Sequence, residues 1–146
     1  MIFVDTGFIF AYVSEDDADH ARVVEVLEDY RGRPLSDILL TTNHVIAETI
    51  TLVRSKGHRD AGLRHDLAVK VGQQLFGSVF GRIHQATAEE EREAFAYLAR
   101  HRDKDYSFVD CLSFVVMDKL GIGEALAVDS DFTHHFTARP GPRARP

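Results

Sequence analysis

The sequence predicts a single α/β domain, a central and mostly parallel sheet flanked by helices on both faces. Three observations predict it. Apolar runs too short for helices recur along the chain, and none alternates cleanly, as expected of strands covered on both faces. Longer segments with apolar residues at helical spacing separate these runs, which implies crossover connections between parallel strands. The length of 146 residues suits one domain that buries roughly 68–70% of the surface its unfolded chain exposes.

The elements follow in order. Ile2-Phe3-Val4 reads as the first strand, and Phe8, Phe10 and Tyr12 then alternate on a short helix as core or dimer surface. Val23, Val24, Val26 and Leu27 stripe a second helix, and Ile38-Leu39-Leu40 reads as the second strand. Ile46, Ile50 and Val53 mark the next helix. Leu63, Leu67, Val71 and Leu75 mark another, although Gly62 and Gly72 weaken that pattern. Val79 to Ile83 reads as the third strand. Thr87 with Glu90 forms a capping box ahead of Phe95, Tyr97 and Leu98, and Ser107 with Asp110 repeats it ahead of Leu112, Val115, Val116 and Leu120. Gly121 closes that helix, and Ala125 to Val128 reads as the last strand. The segment from Arg139 to Pro146 carries three prolines and three arginines and reads as a frayed tail, which leaves residues 1–138 as the domain.

Composition narrows the function. The formal net charge of -6 argues against a protein that holds nucleic acid by bulk positive charge, but not against an enzyme that reaches phosphate through a divalent cation. The single Cys111 forbids an internal disulfide and a cysteine-based zinc cluster. The longest apolar stretch, Phe8 to Val13, is far short of the about 20 residues a bilayer span needs. Asp5 stands where a signal peptide would want a basic residue, so the expectation is a cytoplasmic protein.

In an open parallel sheet, ligands collect beyond the carboxyl ends of the strands. Asp5 follows the first strand, Asp129 follows the last, and Asp131 lies two residues on. Glu48 sits in the helix after the second strand, and Asp110 in the first turn of the helix that Ser107 opens. Each has an ordinary reading: Asp5 and Asp110 as caps, Asp129 and Asp131 as turn residues. Glu48 is harder to explain that way, because Ile46, Ala47 and Ile50 surround it. Carboxylates brought together repel, and a bound cation relieves the repulsion. Oxygen donors without a His/Cys set point to Mg²⁺ or Mn²⁺, ions that activate water and neutralise charge developing on phosphate. The expected chemistry is phosphodiester hydrolysis.

At these residues the sequence resembles PIN-domain proteins, specifically the VapC-type toxin ribonucleases of toxin–antitoxin pairs. The matching segments are FVDTGFIFAYV, TTNHVIAETITLV, YSFVDCLSFVVM and ALAVDSDF, in the family's order, and the resemblance runs from Ile2 to Phe136. It implies that Asp5, Glu48, Asp110 and Asp129 form the acidic quartet, with Asp5, Asp110 and Asp129 as ligands of Mg²⁺ or Mn²⁺. It implies that Thr6, Asn43 and Ser107 orient the acids. It further implies an RNA substrate, a homodimer and a cognate antitoxin whose tail occupies the acidic groove. One departure stands out: Ala127 occupies a place where the family often has Thr or Ser, and Asp131 could assist or replace Asp129.

Other residues admit two readings. His134 and His135 follow the last acidic cluster and read as solvated loop residues or as contacts to RNA phosphate. His44 reads as a surface residue near a helix start. Arg54, Lys56 and Arg59, and likewise Arg100, Arg102 and Lys104, are helix-end charge or flanks of an RNA path. The alternatives to a toxin are a housekeeping RNA-processing nuclease of the same fold and, from another class, a Mg²⁺-binding receiver-like or non-catalytic module. A receiver would pair acids after the first strand, where Thr6 and Gly7 stand.

Overall fold

A computed structural model describes residues 1–145. Five strands, β1 (Ile2–Val4), β2 (Leu39–Thr42), β3 (Arg82–His84), β4 (Glu124–Ala127) and β5 (Thr137–Pro140), form one sheet in the order β3-β2-β1-β4-β5. All four pairings are parallel, with Phe3 beside both Leu40 and Ala125. Six helices flank the sheet: α1 (Thr6–Val13), α2 (His20–Glu28), α3 (Asn43–Lys56), α4 (Ala61–Phe76), α5 (Ala88–Arg100) and α6 (Phe108–Leu120). The predicted α/β architecture is the observed one.

Local chemistry sets the helix ends. Both capping boxes are formed, Thr87 with Glu90 on α5 and Ser107 with Asp110 on α6. Gly121 ends α6 in the left-handed region at φ 67°, where a Cβ would be strained. Helix α6 is buried on every side from Cys111 to Met117 and forms the spine of the core with Phe3, Phe8 and Leu126. Phe132 is fully buried, stacked on Phe3 at 6.1 Å and edge-on to Phe114 at 5.0 Å. Burying a side chain of that size stabilises by about 1.5–3 kcal/mol, enough to pin the loop after β4.

Two expectations need correction. The third strand lies at Arg82–His84 rather than Val79 to Ile83. Ser78 at φ 60° and Gly81 at φ 128° turn the chain there, and a Cβ on Gly81 would meet the Leu39 backbone at 2.8 Å. Phe80 then drops into the core, edge-on to Tyr12 at 5.5 Å, so that run is apolar for packing rather than for pairing. The expected frayed tail begins inside a strand. Thr137–Pro140 pairs with β4, Arg139 donates to the Tyr30 hydroxyl at 3.3 Å, and Arg143 Nε donates to Asp19 Oδ1 at 2.8 Å. Arg22 Nη2 also donates to the Gly141 carbonyl at 2.9 Å. Proline is tolerated here because β5 is an edge strand. Pro146 lies outside the described residues.

The strand order reverses between β1 and β4. The chain steps outward from β1 through β2 to β3, then crosses to β4 on the other side of β1. That is the switch point where an α/β sheet opens a crevice.

Candidate active site

Asp5 and Asp129 leave the sheet from the carboxyl ends of β1 and β4, on either side of this crevice. The Asp5 amide donates to the Leu126 carbonyl at 3.0 Å, which fixes the end of β1 against β4. Its side chain caps α1 by accepting from the Gly7 amide at 3.2 Å through Oδ2. Gly7 also permits close approach, since a Cβ there would lie 3.1 Å from Val128 Cγ2. The other carboxyl oxygen, Asp5 Oδ1, is buried and has no hydrogen-bond partner among the described residues, and neither has the neighbouring Thr6 hydroxyl. Asp5 is only 2% exposed. Burial pushes its pKa well above the ordinary carboxylate range, and Asp129 and Asp110 push it further, against the Gly7 and Thr6 amides.

Asp110 comes from the first turn of α6. It accepts from the Ser107 amide at 2.8 Å, while its own amide donates to Ser107 Oγ at 3.0 Å. Burial raises its pKa to about 6 despite those bonds, with Asp129 and Asp131 adding to the rise. Asp129 is raised chiefly by burial too, and the Asp131 amide donates to its Oδ1 at 3.0 Å. The ordinary cap and turn roles of these acids are therefore real, and their mutual repulsion comes on top of them.

Glu48 stands somewhat apart. It is half-buried on α3 and lines a shallow groove with His44, Thr51 and Val109, the residue before Asp110. The charges that act most strongly on Asp5 are Asp129 and Asp110. Asn43 Oδ1 accepts from the Ala86 amide at 2.9 Å and ties α3 to the loop after β3. Ser107 does orient Asp110, and Asp131 holds Asp129 through its backbone rather than its carboxylate. His44 is bound to Glu91 at 2.8 Å.

Among the described residues, no three His, Cys, Asp or Glu side chains close on a common point as they stand. The donor set nevertheless suits a hard cation. It is all oxygen, one buried carboxyl oxygen has no partner, and the acids hold raised pKa values that a positive charge would lower. Cys111 is fully buried, and burial pushes its thiol up to about 11, the character of a structural cysteine. No helix among the described residues is long and apolar enough to cross a membrane.

Known proteins resemble this chain over most of its length. The PIN domain family model matches residues 2–135. The 23S rRNA-specific endonuclease VapC20 of Mycobacterium tuberculosis is 38% identical over 134 residues, covering 91% of this chain and 92% of that protein. A VapC ribonuclease of Archaeoglobus fulgidus is 31% identical over 135 residues, covering 89% of this chain and 78% of that protein. The crystal structure of Mycobacterium tuberculosis VapC20, described as a Sarcin-Ricin loop cleaving toxin, matches with a TM-score of 0.78 at 36% identity, covering 92% of this chain and 94% of that one.

Proposed function

The chain belongs to the PIN-domain family, and from that premise we propose that it is a metal-dependent endoribonuclease, the toxin of a toxin–antitoxin pair, that cuts large-subunit ribosomal RNA. The observation that carries the reading is Asp5, a buried carboxylate with an unbonded oxygen, set between two further acids at the switch point. The substrate class rests on the likeness to VapC20 over nine-tenths of the chain.

Asp5, Asp110 and Asp129 are the residues that would hold Mg²⁺ or Mn²⁺. Such an ion supplies charge neutralisation at phosphate and makes water easier to deprotonate. The chain does the rest. The α1 cap sets the angle of Asp5, the Ser107 box sets Asp110, and the Asp131 amide sets Asp129. Glu48, half-buried on α3, is the carboxylate that would accept a proton from the attacking water.

An antitoxin with an Arg-bearing tail suits this pocket, because a guanidinium can bond a carboxylate through two donors and stays charged. Val69 and Phe76 on α4 are exposed apolar groups that suit protein contacts, in keeping with a toxin that works as a homodimer alongside its antitoxin. The test is to incubate purified protein and Mg²⁺ with ribosomes and with total RNA, then map new 5′ ends. Discrete cuts in large-subunit RNA that vanish in EDTA and return with Mg²⁺ or Mn²⁺ are expected. Undiminished cleavage in EDTA, with contaminating nuclease excluded, would sink the metal mechanism; discrete cuts in other RNAs alone would sink the substrate assignment.

A further inference from the structure

A second group of polar side chains adjoins the acidic pocket and takes no part in the catalysis described above. Directly after Asp129 and Asp131, the chain makes a 3-10 turn at Phe132–His134. The Phe132 ring anchors that turn in the core, while His134 and His135 remain exposed. Each exposed imidazole is nevertheless fixed at one nitrogen. The Tyr106 hydroxyl is hydrogen-bonded to His134 Nδ1 at 2.9 Å, and the Tyr97 hydroxyl to His135 Nε2 at 2.9 Å. Tyr106 itself is 5% exposed, so its ring belongs to the core and its hydroxyl reaches the edge. Tyr97 is stacked on His101 at 4.0 Å, with the Arg100 guanidinium 5.8 Å above its ring.

This edge touches the pocket from both sides. Tyr106 precedes Ser107, the cap of the helix that carries Asp110, and Asp131 is near enough to act on both Asp110 and the Tyr106 hydroxyl. Holding exposed imidazoles in one orientation removes the entropy cost of ordering them when a ligand arrives. The fixed nitrogens leave His134 Nε2 and His135 Nδ1 free. The connection between α5 and α6, which carries Tyr106, also exposes Arg102 and Lys104, interleaved with Asp103 and Asp105. On a chain of net charge -6, a polyanion whose backbone must lie next to four carboxylates needs such donors close by.

We propose that His134 and His135, held by Tyr106 and Tyr97, grip the RNA backbone beside the cleavage pocket, with their free ring nitrogens donating to phosphate oxygens. The proposal rests on the nuclease reading above, and Tyr97 and Tyr106 are positioning residues in it.

The test uses the full chain in Mg²⁺ with two labelled RNAs, a hairpin and an unstructured strand of equal length. His134→Ala combined with His135→Ala should raise KM about tenfold on both RNAs while kcat stays within about threefold. Equal losses on both mark phosphate contact rather than base reading. Fluorescence anisotropy on the Asp5→Asn background, where the RNA stays intact, should show the same loss in Kd. His134→Gln and His135→Asn return an amide donor near the free nitrogens and should recover most of it. Tyr97→Phe and Tyr106→Phe remove only the hydroxyls, and should raise KM by about two- to fivefold at unchanged melting temperature. Unchanged KM and Kd in the double variant would overturn the proposal. A fall of melting temperature and kcat together, without amide rescue, would also overturn it by making the histidines structural. A double variant that keeps RNA affinity but loses the antitoxin would overturn it by assigning the edge to the protein partner. Should the wild type cut neither these RNAs nor ribosomal RNA while binding still depends on both histidines, the nuclease reading falls and the RNA edge stands.

Discussion

Asp5 and Glu90 are buried to nearly the same degree, 2% and 5% exposed, and burial pushes both carboxyls up. Their surroundings then part. Glu90 closes the α5 capping box by accepting from the Thr87 amide at 2.8 Å, and His84 Nε2 lies 3.0 Å from the same oxygen. Those partners outweigh burial and leave its pKa lowered. Asp5 has one long bond from Gly7, an unbonded Oδ1, and two acids for neighbours, so its pKa ends well above the ordinary range. One fold satisfies a buried carboxylate completely at the β3–α5 junction and leaves another unsatisfied at the switch point. Native structures tolerate few such groups, and the ones they keep cluster at functional sites.

The largest effect that separates the two regions is on activity. Asp5→Asn should reduce RNA cleavage to the level of a blank, whereas Glu90→Gln should cut at the wild-type rate, both read from initial rates on one RNA. Near-wild-type cleavage by Asp5→Asn would reduce Asp5 to a helix cap.

Stability should invert that order. Glu90→Ala loses the second half of a capping box and leaves the Thr87 amide unpaired, at a cost of about 1–3 kcal/mol in denaturant melts. Asp5→Asn keeps an acceptor for Gly7 and removes the repulsion, so in metal-free buffer at neutral pH it should melt no lower than the wild type. A clear drop would mean that capping outweighs repulsion at this position.

The pH dependence should have opposite signs in the two regions. The folded pKa of Asp110 is raised from 3.8 to about 6, so its contribution is present below 3.8 and is lost as pH rises through about 6. Glu90 is lowered, so its contribution is present above its ordinary 4.5 and is lost as pH falls through the folded value. In metal-free melts, Asp110→Asn should remove part of the decline between 3.8 and about 6, and Glu90→Gln should remove part of the acid-side loss. The smallest effect concerns Asp131. Asp131→Asn should lower the Asp110 pKa from about 6 only partway, because burial outranks Asp131 among its causes. An NMR titration of the Asp110 carboxyl reads that shift.

Much of this contrast was legible in the sequence, because capping boxes are local. Thr87 with Glu90 and Ser107 with Asp110 carry their spacing openly, and an acid just after an apolar strand marks the strand's carboxyl end. That Asp129 and Asp110 lie near enough to act on Asp5 was legible only as a consequence of parallel topology. What stayed hidden depended on tertiary contacts. Phe80 reads as strand because nothing local shows Tyr12 above it, and Thr137–Pro140 reads as tail because an edge strand needs little apolar patterning. The Ala86 amide that donates to Asn43 Oδ1 lies 43 residues away in the chain, beyond the reach of local pattern. Tyr97 and Tyr106 offered no sign that their hydroxyls would meet His135 and His134 across the fold.

The most direct test of an unsatisfied Asp5 as the seat of a cation is thermal melting at neutral pH, without and with millimolar Mg²⁺ or Mn²⁺, for the wild type and Asp5→Asn. An ion that binds only the folded chain raises its melting temperature with the logarithm of its concentration relative to Kd. With the cation the wild type should melt several degrees higher, while Asp5→Asn should start as high as the metal-free wild type or higher and barely move. A cation that leaves the wild type unmoved, or raises both proteins equally, would contradict Asp5 as that seat.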